Sequence, residues 1–78
     1  MKKKLQPKDL AELRELAGLP QPVLAKAVGI DRPKLSLIEN GHVQPTEEEL
    51  ADIVTAVRAA HRERVARFEQ LLAGSEAA

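Results

Sequence analysis

Three glycines, at positions 18, 29 and 41, cut the first half of the chain into segments of helical length. Glycine ends helices because it takes the left-handed conformation at little cost. Each segment also opens in the same way, with one apolar residue just before the cap and another in the first turn. Leu5 and Leu10, Leu19 and Leu24, and Ile30 and Leu35 have this spacing, which fixes the angle at which a chain enters a helix. Pro7 suits a first helical position, with Gln6 before it, and Asp31 is a natural cap. A fourth entry, Thr46-Glu47-Glu48-Glu49, combines a capping box with three carboxylates in a first turn. The spacing predicts helices over roughly residues 7–17, 21–28 and 32–40, and a fourth from 47. No glycine or proline interrupts Thr46 to Ala73, so one helix of about 40 Å can follow.

Nothing competes with helix. β-branched and aromatic residues are sparse and no stretch alternates with period two. Seventy-eight residues make one domain with a modest core, and the lack of cysteine removes disulfides and thiolate metal sites. No run is long and apolar enough to span a membrane, and Lys2-Lys3-Lys4 is not followed by a signal-peptide core. A soluble cytoplasmic protein without membrane association is expected. The zero net charge hides an asymmetry: residues 1–42 carry +3 and residues 43–78 carry −3. A basic first half suits a polyanion.

Two short helices joined by a turn at Gly29 have helix-turn-helix spacing. On a helix over 32–40, Leu35 and Ile38 share one side, while Arg32, Pro33, Ser36, Leu37 and Asn40 project from the other. Ala25 is small where helices 2 and 3 would cross closely. Leu10, Leu13, Leu16, Leu24, Val28, Ile30, Leu50, Ile53, Val54 and Val57 are expected to complete the core.

The stretch LPQPVLAKAVGIDRPKLSLIENGHVQPTEEEL, residues 19–50, resembles the phage-repressor and Cro-like helix-turn-helix family. The words that carry the resemblance are Gln21, Leu24-Ala25, the Val28-Gly29-Ile30 turn, Leu35-Ser36-Leu37-Ile38-Glu39-Asn40-Gly41, and Pro45-Thr46. Each is weak alone; together, in order and at this spacing, they are specific. With helix 1 the resemblance covers about residues 8–57. It implies an all-α fold, a four- or five-helix repressor-like DNA-binding domain, here with an extended C-terminal helix.

The resemblance also implies roles. Gln21 matches a phosphate-gripping position. Arg32 matches a base-reading one, where arginine can take guanine O6 and N7; contact with phosphate alone is the alternative. Ser36 can donate to a base or a phosphate, and Lys34 lies toward the rim, nearer phosphate. Pro33 sits early in the same helix. Leu37 either meets a thymine methyl or is a tolerated exposed leucine. Asn40 matches a backbone-contact position and can also cap the helix. Arg14 and Glu39 occupy positions that commonly pair in this family; two solvated charges are the alternative. Lys2, Lys3 and Lys4 form either an arm along the duplex or a solubilising tail. Pro20 departs from the family's usual serine or threonine cap, and Pro22 removes an amide that could meet phosphate.

One such motif reads few base pairs, so a homodimer on paired half-sites is expected. His61, Arg64, Val65, Phe68, Leu71 and Leu72 lie on or beside one stripe of the C-terminal helix and are the candidate dimer contacts. A bend at Ala59-Ala60, folding Val65, Phe68 and Leu72 onto the same core, is the alternative. The expected organisation is a basic arm (1–6), a DNA-binding domain (7–57), a dimerising extension (58–73) and a disordered tail (74–78). No catalytic constellation, cofactor motif or metal-ligand spacing is present: His42 reads as a loop residue, and His61 has no second ligand at helical spacing. The expected function is a sequence-specific transcriptional regulator that binds double-stranded DNA, not an enzyme. An antitoxin-like or adaptor protein, whose C-terminal helix binds a different protein, is the competing function.

Overall fold

The computed structural model describes residues 5–77, with side chains through Ser75. They form four helices: α1 (Pro7–Leu16), α2 (Gln21–Val28), α3 (Arg32–Glu39) and α4 (Glu47–Ala77). No strand occurs among the described residues. The lysines at 2–4 lie outside them. No described helix is long and apolar enough to cross a membrane.

Local chemistry sets the helix ends. The Asp31 carboxylate accepts from the Lys34 backbone N–H at 2.8 Å and starts α3. Thr46 and Glu49 form a reciprocal box at the start of α4: the Thr46 hydroxyl accepts from the Glu49 N–H at 3.0 Å, and the Glu49 carboxylate accepts from the Thr46 N–H at 2.9 Å. Pro20 precedes α2 without a side-chain cap, since its ring carries no acceptor. At the other end Gly29 takes φ 85°, and its N–H and that of Ile30 both return to the Ala25 carbonyl.

α2 packs on α3 and α4, and α1 closes the bundle against the same two helices. The core is aliphatic: Leu10, Ala17, Leu24, Ala25, Leu35, Ile38, Ile53 and Val57. Leu24, Leu35, Ile38 and Ile53 are almost completely buried, each contributing roughly 1.5–3 kcal/mol relative to exposure. Leu13, Val28, Ile30 and Leu50 pack against this core partly buried, and Val54 is half-buried.

Two sequence expectations are corrected. Leu16 is 68 % exposed and does not join the core. Ala17 takes the inward position instead, seven residues after Leu10 on the same face, and one residue of helix rotates Leu16 about 100° away. The tail expected to be disordered from residue 74 is helical through Ala77. Gly74 takes no positive φ, and no proline follows to stop the helix, so α4 runs on through it.

α4 is one uninterrupted helix of 31 residues, about 46 Å long at the usual rise. It has two halves of different character. Ile53 and Val57 anchor the first in the core, whereas residues 61–75 are all exposed. Val65, Phe68 and Leu72 therefore do not fold back.

Candidate nucleic-acid interface

α3 has one buried side and one open side. Leu35 and Ile38 show no exposed surface and fasten the helix to the core, with Glu39 behind them at 8 %. Arg32, Pro33, Leu37 and Asn40 are exposed and Ser36 is half-buried. Gln21, the first residue of α2, lies close enough to join this surface through Arg32, whose Nε donates to the Gln21 side-chain oxygen at 3.4 Å.

Beneath this face lies a buried polar cluster. Arg14 Nε donates to Glu39 Oε2 at 2.7 Å and Nη2 to Oε1 at 3.2 Å, giving a two-point ion pair between α1 and the end of α3. The Arg14 Nη1 group donates to the Leu19 carbonyl at 3.0 Å, holding the α1–α2 turn as well. Gln21 Nε2 donates to Glu39 Oε1 at 2.9 Å. No buried side-chain nitrogen or oxygen among the described residues lacks a hydrogen-bond partner, the condition under which a buried charge is tolerated. The Glu39 hydrogen bond raises the Arg14 pKa further, against the burial that pushes it down.

The cluster connects both helices of the motif. Gln21 uses its amide nitrogen on Glu39 and its oxygen on Arg32, so a line of side chains runs from Arg14 through Glu39 and Gln21 to Arg32. The nitrogen has a second hydrogen, which leaves one donor for an external acceptor.

Lys34 lies on the flank of α3 and donates from its ammonium to Glu49 Oε2 at 2.7 Å. Glu49 thereby serves two helices, capping α4 with one oxygen and holding α3 with the other. The hydrogen bond from Lys34, with that from the Thr46 backbone behind it, lowers the Glu49 pKa. Asn40 turns its amide back on α3, donating to the Ser36 carbonyl at 2.9 Å and more weakly to the Ser36 hydroxyl.

The stripe residues of α4 lie apart from this face. Val65, Phe68, Leu71 and Leu72 are exposed, as is His61. Arg64 is engaged within its own chain: its Nη1 donates to the Leu16 carbonyl at 2.9 Å, capping the end of α1. The guanidinium also lies over Gly18, where a Cβ would stand 2.5 Å from Nη1.

Sequence reasoning did not find the Gln21 bridge, the Lys34–Glu49 pair or the Arg64 cap. Their partners are 18, 15 and 48 residues apart, beyond any local spacing rule. The three acids at 47–49 drew attention only as a helix start, which concealed the second partner of Glu49.

The family model described as a helix-turn-helix domain matches residues 9–68, well over half of the chain. No curated protein matches the sequence.

Proposed function

The chain belongs to the helix-turn-helix domain family, and on that premise we propose a sequence-specific transcriptional regulator of the phage-repressor and Cro-like type. It binds double-stranded DNA as a homodimer on paired half-sites, with α3 in the major groove. The observation that carries this reading is the two-sided character of α3: Leu35 and Ile38 are fully buried while Arg32, Pro33 and Leu37 are exposed.

The side chains then divide the work. Arg32 takes guanine O6 and N7, and Leu37 meets a thymine methyl. Gln21 offers its second amide hydrogen to phosphate, while Ser36 donates to a base or a phosphate at the next turn of α3. Lys34 reaches phosphate by exchanging Glu49 for it. Asn40 keeps the end of α3 closed beside the backbone. The chain has no catalytic role in this reading.

The exposed stripe around Phe68 also favours a second reading, an antitoxin-like or adaptor protein with a different protein on α4. Selection from a random duplex library separates the two. A regulator enriches a palindrome with guanine and thymine opposite Arg32 and Leu37, and Arg32→Ala loses the guanine preference. Recovery of unenriched DNA rules out the regulator.

A further inference from the structure

The distal half of α4 carries an apolar stripe. Val65, Phe68 and Leu72 are 46 %, 61 % and 43 % exposed, and with His61 they recur at alternating four- and three-residue intervals, the spacing by which helices pair. The stripe meets α1 at one end. Through the Arg64 bond to the Leu16 carbonyl, the tip of α1 stands on the flank of this face, and Leu16 borders a groove with His61, Val65 and Phe68.

Resting on the dimer reading above, we propose that a second copy of this chain covers the stripe with its α4 running antiparallel. Val65 of each copy packs on Phe68 of the other, and His61 on Leu72. The contact is self-complementary, as a two-fold interface must be.

The position of α1 selects the direction. A parallel partner sets two copies of α1 at the same level of the paired helices, whose axes lie only about 8–10 Å apart. An antiparallel partner instead lays its slender free end beside Leu16, which is otherwise 68 % exposed.

Charge agrees with this register. Arg62 and Glu69 lie on the same flank of the stripe, and an antiparallel partner sets Arg62 of one copy across from Glu69 of the other, twice per dimer.

The spacing agrees as well. The register centres the two-fold axis between Ala66 and Arg67, about 17 Å along α4 from the buried stretch Ile53–Val57. The buried roots of the two α4 helices then lie about 35 Å apart along the paired helices, of the same order as the roughly 34–36 Å of one duplex turn. Parallel pairing leaves the heads side by side, much closer than that.

The chain has no cysteine, so directed disulfides report the arrangement cleanly. Full-length His61→Cys and Leu72→Cys are each oxidised alone and as an equimolar mixture after subunit exchange, with sedimentation of the unmodified chain measured alongside. Both sites are exposed, and neither substitution touches the core. The mixture is expected to give a disulfide-linked heterodimer, and neither variant to link to itself, since like positions lie about 16 Å apart along the axis. Self-linking of either variant overturns the proposal. So does failure of the mixture to link when the chain sediments as a dimer; in both cases the dimer reading survives. A chain that sediments as a monomer, free and on a duplex with paired half-sites, overturns both.

Discussion

Arg14 and Glu39 form a two-point ion pair, 2.7 and 3.2 Å, that joins the last turn of α1 to the last residue of α3. Their side chains are 13 % and 5 % exposed, so removing one partner strands a charge with little water to take its place. Glu39→Ala should cost about 3–5 kcal/mol of unfolding free energy, read from urea denaturation. Replacing both residues by methionine should cost far less. A single-mutant loss below about 1 kcal/mol would mean that the pair contributes little.

Arg32 is the exposed end of the side-chain line that starts at Arg14. Arg32→Ala should leave unfolding unchanged and lose roughly 1–3 kcal/mol of discrimination at one base pair per half-site. Competition binding with base-substituted duplexes measures this. A uniform loss over all sequences would instead assign Arg32 to phosphate.

Glu49 favours its charged form in the fold, first through Lys34 and then through the Thr46 backbone. A lowered carboxylate pKa gives stability that is complete above the ordinary glutamate value. It fades as pH falls through the lower folded value. Glu49→Gln keeps a capping side chain but loses the charge. The variant should be less stable than the parent at neutral pH, and the two should converge in acid. Thermal melts across that range test it, and a pH-independent difference would point to packing.

Phe68 is 61 % exposed in the single chain. Burying it in a dimer is worth roughly 1.5–3 kcal/mol per copy, so Phe68→Glu should weaken association about a hundredfold or more. Helix content by circular dichroism should be unchanged. Unaltered sedimentation would remove Phe68 from the contact.

Phosphate contacts release counterions, so affinity for a duplex should fall steeply between low and moderate salt. Fluorescence anisotropy titrations at several salt concentrations give the slope. An affinity indifferent to salt would leave Gln21 and Lys34 without a role on the backbone.

What was legible in the sequence was what adjacent residues decide. Asp31, Thr46 and Glu49 set helix starts that follow from their own hydrogen bonds, and Gly29 ends α2 as its missing side chain allows. The two-sided character of α3 followed from helical rotation alone. The misplacement of Leu16 shows the limit of that rule: an apolar residue at the edge of a helix face goes in or out according to its neighbour, and here Ala17 fits where Leu16 does not. The pairing of Arg14 with Glu39 came from the resemblance rather than from spacing. The bridge through Gln21, the Lys34–Glu49 pair and the Arg64 cap depend on how separate helices are brought together, which no run of neighbouring residues encodes.

Because α4 has no break between its buried root and its far end, the two ends are geared together. Each residue inserted after Val57 would turn the distal face by about 100° and carry it roughly 1.5 Å outward. One extra residue would swing Phe68 away from its present side of α4, whereas seven would bring it back nearly into line on an arm about 10 Å longer. Length and angle along this shaft cannot be tuned separately: a change in one carries a change in the other.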